Sequence, residues 1–131
     1  MMGNFPKATR PLEYVGLFQA DMATTQDGDV FAFIAVDMFS MKVFFTGAEP
    51  NRDNETVIKH TKLLLQDKDF IWGMKEHGSF TLVYHKFTDI VPLLNDIVKP
   101  YGGNIMVSDA FVTMVVLPVV EQLFKTIAKK Q

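Results

Sequence analysis

Two carboxylates and an imidazole, Asp21, His85 and Glu121, are set along the chain at intervals that could bring them to one point of a folded domain, with 35 residues between His85 and Glu121. Converging carboxylate oxygens hold divalent metal, and two such ions about 3.5–4 Å apart clamp the attacking and leaving oxygens of an in-line phosphoryl displacement. Magnesium takes hard oxygen ligands, so an imidazole at a bridging position calls for a softer ion such as manganese or zinc, or for another carboxylate, Asp37 or Asp89. Each residue also has a plainer account. Asp21 can be a solvated acid beside a turn, His85 a surface or hydrogen-bonded side chain with pH-dependent charge, and Glu121 an acid that complements a helix dipole.

Positioning these groups requires strands and helices, and the hydrophobic pattern supplies both. Leu12 to Asp21 reads as a strand, and Thr24 to Asp29, with its Asp27-Gly28 pair, as a turn. Val30 to Val36 is apolar almost throughout, as a strand covered on both faces would be, and Lys42 to Ala48 is a third strand, which together make an antiparallel meander. The period then changes. Val57, Ile58, Thr61, Leu64 and Leu65 share one helical face behind a cap at Asp53 or Asn54. Ser79 to Tyr84 returns to strand character, and a second helix carries Ile90, Leu93, Leu94, Ile97 and Val98, with Thr88 or Asp89 as cap, Pro92 in the first turn and Pro100 at the end. Gly102-Gly103 is the exit turn, Asn104 to Val107 a short edge strand, and Ala110 to Leu117 an apolar run readable as strand or buried loop. Pro118 suits the first position of a last helix whose Val119, Val120, Leu123, Phe124 and Ile127 face inward. The resulting order predicts an α/β fold with a mixed five-stranded sheet and helices on both faces, as one domain over 12–131 behind a tail at 1–11.

Composition narrows the classes. The 131 residues are 48% hydrophobic, enough for a real core, and no apolar stretch reaches the roughly 20 residues a membrane span needs. Together with a polar, proline-punctuated start, this reads as a soluble cytoplasmic protein without a membrane partner. Zero cysteines exclude disulfides and thiolate zinc sites, and three histidines, His60, His77 and His85, do not make a histidine-rich metal site. Thirteen basic against fifteen acidic residues give a net charge of −2, which disfavours tight DNA binding by this chain alone. The basic residues Lys125, Lys129 and Lys130 are read as cations at a helix C-terminus in preference to a DNA contact. Trp72, in the stretch from Asp69 to Gly78, is expected as a loop ring over the core edge rather than a base-stacking platform, and methionines such as Met38, Met41, Met106 and Met114 as core filler.

The strings Gln19-Ala20-Asp21 and Val36-Asp37-Met38-Phe39-Ser40, with Glu121 at its spacing after a proline, resemble the ribonuclease H-like catalytic core of retroviral-type integrases and bacterial transposases, over roughly Tyr14 to Lys125. In that family the first strand ends in an acid, the next ends in Asp-x-Phe-Ser, the fourth ends in a second acid followed by Asn-Gly, and a Glu follows on a helix. Here Val83-Tyr84-His85-Lys86-Phe87 occupies the fourth strand end, so His85 stands where the second acid belongs. The resemblance implies an integrase-core fold and, if active, a Mg2+ or Mn2+ cofactor with Asp21 and Glu121 as its ligands and His85 at the third corner. It also implies DNA as the substrate class and a homodimer or other protein partner. The missing acid implies impaired DNA strand transfer and a role in interaction or self-association, with an active metal-dependent DNA-joining enzyme as the alternative. The greasy segment Phe111 to Leu117, where active members have a mobile polar loop, is expected in the core or an interface. A second alternative is a small α/β sensor or regulatory domain taking an apolar ligand or partner there.

Overall fold

The computed structural model describes residues 7–26 and 28–122. Asp27, Leu123, Phe124, Lys125, Ile127, Lys129 and Lys130 lie outside the described residues.

Five strands, β1 (Tyr14–Thr25), β2 (Gly28–Asp37), β3 (Val43–Glu49), β4 (Phe80–Tyr84) and β5 (Gly103–Val107), form one sheet in the order β3-β2-β1-β4-β5. β1, β2 and β3 pair antiparallel as a meander, while β1, β4 and β5 run parallel, so the predicted mixed sheet is observed. The first hairpin is tighter than the sequence pattern suggests. Thr25 pairs with Gly28, which takes φ +119, so β1 runs four residues past Asp21. Ladder hydrogen bonds to β2 outweigh the polar character of 24–29.

Helices cover both faces. On one side lie α1 (Asn54–Leu65), capped by Asp53, α2 (Lys68–His77) and α3 (Val91–Val98). Val57 and Leu64 of α1, Phe70 of α2, and Leu94 and Val98 of α3 pack there against Val15, Leu17, Phe44, Leu82 and Tyr84. The segment 68–77 is a helix and not the expected loop. Asp67 accepts the Asp69 and Phe70 N–H groups as its cap, Phe70 is fully buried, and Gly73 lets Leu12 lie against the helix. Trp72 falls on the outer side of that helix at 63% exposure and covers no core. α3 also starts later than its periodicity suggests. Thr88–Ile90 form a 3₁₀ turn, no side chain caps α3, and Asp89 instead accepts a hydrogen bond from Asn54 Nδ2 at 2.9 Å.

The other face is covered by α4, which holds the largest departure from the predicted elements. It opens as Asp109–Phe111, passes through a π-helical stretch, Val112–Val116, and continues α-helical over 117–122. Ser108 caps it by accepting the Phe111 N–H. Pro118 therefore sits inside a helix rather than at its first position. A proline ring crowds the carbonyl four residues back and donates nothing, and the widened turn, in which the Leu117 N–H reaches Val112 O, makes room for it. Phe111, Val112, Val116 and Val120 are buried against Ala20, Ile34, Val36 and Val83, so the apolar run that read as strand or loop is a core helix. Met38 and Met106 pack at the edge of this cluster, whereas Met41 and Met114 are exposed and not core filler.

Candidate functional site

The C-terminal ends of parallel strands, where side chains and helix N-termini gather, are the usual place for a site in such sheets. The register sets what arrives there. Gly16 pairs with Val83, so Phe18, two residues on, stands beside His85 at the end of β4. The two rings lie 6.0 Å apart, and Phe87 meets the other side of the imidazole edge-on at 5.5 Å. Phe87 adopts φ 75 and ψ 35, a left-handed conformation that a glycine takes freely and a phenylalanine holds at a cost of about 1–2 kcal/mol. Burial of its ring offsets that cost.

His85 Nδ1 is buried without a hydrogen-bond partner among the described residues. Burial pushes the imidazole pKa below its usual 6.5, with Lys86 and Arg52 acting in the same direction and Asp109 opposing them. Asp109, in the first turn of α4, was not singled out by its sequence context, and it is the acid whose charge His85 feels. The folded state thus disfavours protonation more than the unfolded chain does. Stability contributed by neutral His85 is present above pH 6.5 and is lost as pH falls below it toward the folded-state value. Urea midpoints measured between pH 8 and 5 should fall on acidification, and His85→Gln should flatten that part of the curve. An unchanged slope in the variant would refute the assignment. A groove opens beside this cluster, lined by Arg52, Asp53, Asn54, Glu55, Lys86, Phe87 and Asp89, and Arg52 stacks over Phe31 at 4.9 Å.

The remaining candidates do not join His85. Asp21 has the same parity on β1 as Leu17 and Gln19, which line the α1 side, while Phe18 and Ala20 pack toward α4. Its register with β2 holds through the Asp21–Phe31 pair, so it projects on the α1 side, exposed. Glu121 is exposed on α4, twelve residues after Asp109. That helix starts beside the strand ends at Asp109 and crosses the sheet so that Val116 presses on Gly16, where a Cβ would overlap the valine methyl. It covers the face of the sheet opposite the one toward which Asp21 projects. The expected position of Glu121 near a helix N-terminus is corrected, since the helix begins at Asp109, nine residues earlier than the proline suggests and twelve before Glu121. Among the described residues no group of three or more His, Asp or Glu side chains is placed to hold a metal ion.

Asp37, the nearest stand-in carboxylate by sequence, is 2% exposed and fully engaged. Its Oδ1 accepts the Leu12 and Phe39 N–H groups, both at 3.1 Å, and its Oδ2 accepts the Ser40 hydroxyl at 2.7 Å. It ties the entry to β1 to the β2–β3 connection. Asp89 is committed to Asn54.

A second polar cluster lies between β3 and α1 and was not visible in the sequence. Buried His60 stacks on Phe33 with ring centroids 4.1 Å apart, and its Nδ1 lies 2.7 Å from Thr46 Oγ1 while its Nε2 lies 2.7 Å from Glu49 Oε2. Lys59 reaches the same carboxylate oxygen at 2.8 Å, and Lys59 and His60 together hold the Glu49 carboxyl below its ordinary pKa. The i, i+3 spacing of Thr46 and Glu49 was the one available hint, blurred by a β-bulge that turns both toward α1.

No protein-family model matches the chain, and no curated protein sequence does. Among solved structures it is similar to the HTLV-2 integrase catalytic core domain, described as in complex with magnesium and in dimeric form. The TM-score is 0.57 at 10% identity, over 92% of this chain and 70% of that one. The fold is thus ribonuclease H-like, of the integrase-core type. No helix among the described residues is long and apolar enough to cross a membrane.

Proposed function

We propose that this is an integrase-core-like domain whose strand-transfer chemistry is impaired and whose present role is interaction, in the first place self-association. The observation that carries the reading is the path of α4. The helix begins at Asp109 rather than at Pro118, buries Phe111, Val112 and Val116 against the sheet and leaves Glu121 exposed twelve residues from its start, which supports a segment spent on packing rather than on delivering an acid. The HTLV-2 domain is described with magnesium and as a dimer. The magnesium does not carry over easily, because Asp21 and Glu121 lie on opposite faces and His85 offers nitrogen where a hard ion takes oxygen. The dimer carries over as the proposal. Exposed Phe39, Met41 and Phe45, around and on edge strand β3, are consistent with a protein partner. The sensor alternative loses its surface, since Phe111, Val112 and Val116 are spent on the core.

Sedimentation velocity over a range of chain concentrations tests self-association, and a monomer up to about 100 µM, a concentration that would populate even a weak dimer, would reject it. The enzyme alternative is tested by His85→Asp titrated with manganese in calorimetry and assayed for cleavage of a DNA duplex. No gain in manganese affinity is expected in the folded variant. A gain of tenfold or more, with metal-dependent cleavage, would restore Asp21, residue 85 and Glu121 as a catalytic set.

A further inference from the structure

A cavity of about 10 Å³ lies between the sheet and α1, where Gln19 of β1, Thr46 of β3 and His60 of α1 meet apolar side chains of β2 and α1. Gln19 is 2% exposed, and its Oε1 has no hydrogen-bond partner within the protein. A buried carbonyl without a donor costs about 1–3 kcal/mol, and a volume near 10–15 Å³ is what a single water occupies. The polar groups around the cavity also select its occupant. Both His60 nitrogens are engaged, by Thr46 and by Glu49. Thr46 Oγ1 lies 2.7 Å from His60 Nδ1 and 3.3 Å from the Phe33 carbonyl oxygen, and whichever of the two takes its one proton, the hydroxyl oxygen keeps a lone pair for the cavity, as Gln19 Oε1 does. The lining therefore offers two acceptors and asks for a small double donor, which excludes an anion or a carbonyl and leaves no room for an organic substrate.

We infer that this cavity is a binding site for one internal water, which donates to Gln19 Oε1 and Thr46 Oγ1. The water extends the Glu49–His60–Thr46 chain into the middle of the sheet and joins β1, β3 and α1 through one hydrogen-bonded path. The chain has the hydroxyl–imidazole–carboxylate order of a nucleophilic triad, but its hydroxyl is turned inward onto His60 and the Phe33 carbonyl beside a cavity too small for a substrate, so its work is to fasten elements together.

A crystal structure at a resolution that orders solvent should show a peak within hydrogen-bonding distance of both oxygens. Oxygen-17 relaxation dispersion of the full chain should count one fewer long-lived water in Gln19→Leu than in the wild type. A dry cavity, or the Gln19 amide turned onto a protein donor, would overturn the assignment, as would an unchanged water count. Should Gln19→Leu not fold, Thr46→Val provides the same comparison, and the wild-type density decides by itself.

Discussion

Asp37→Ala is expected to lower stability by about 3 kcal/mol, read as a thermal midpoint roughly 10 °C below the wild type. The carboxylate is buried and accepts three hydrogen bonds, of which the one from the Leu12 N–H is itself buried. Removing it strands that donor, while the Phe39 N–H and the Ser40 hydroxyl, on exposed residues, can recover water. Two comparisons separate this account from a general intolerance of the site. Ser40→Ala deletes a single bond and should cost about 1 kcal/mol. Asp37→Asn keeps an oxygen for the two N–H groups, and the Ser40 hydroxyl can reverse to accept from the new amide, so it should cost less than half of Asp37→Ala. A destabilisation by Asn as large as that by Ala would show that charge, rather than hydrogen-bond geometry, is what the knot needs. The string Val36-Asp37-Met38-Phe39-Ser40 is thus kept by structure, with an aspartate whose work is to shape a connection.

Phe111→Ala should cost about 3–5 kcal/mol, the range for deleting a fully buried ring. Phe111 is 1% exposed on the first turn of α4, and a cavity there cannot close easily because the helix is pinned against Gly16 by Val116. Met114, on the same π-helical stretch but 48% exposed, serves as control, and its alanine variant should stay within about 0.5 kcal/mol of the wild type. Amides of residues 112–116 should exchange slowly, opening only with the global unfolding of the domain. A mobile loop that closes over a ligand would behave otherwise: fast exchange, and a Phe111→Ala penalty under about 1 kcal/mol. The measurement thus bears on function as well as packing, because a helix held this firmly does not deliver Glu121 to the strand ends.

Much of the architecture was legible because it rests on local patterns. Alternation and apolar runs placed β1 to β4, and the 3.6-residue period placed α1 and α3, because each element is a face seeking burial and the chain writes that face at fixed intervals. The misreadings share a cause. At 68–77 the period was obscured by Ile71 and Trp72, apolar residues on the half-exposed and exposed sides of α2, while the burying contacts, Phe70 and the Leu12–Gly73 approach, come from tertiary structure. At 109–122 Pro118 reads as a helix start by every local rule, and only the π turn before it, seated in the groove over β1, lets the helix run through.

The candidate site was less legible than the fold, for a physical reason. By itself the sequence determined the order of the five strands, the meander, the two-sided sheet and the 35-residue interval between His85 and Glu121. An interval along a chain becomes a distance in space only when every element between its ends is fixed. Tertiary structure decided that Asp21, by strand parity, faces α1 while His85 faces α4, and that a helix begun nine residues early leaves Glu121 about three turns from its start. It decided as well that Thr46, Glu49 and His60, with no signature in the sequence, share a hydrogen-bonded line. Pleat parity and helix start are each shifted by a single residue or a single cap, and such steps are set by packing against the rest of the domain.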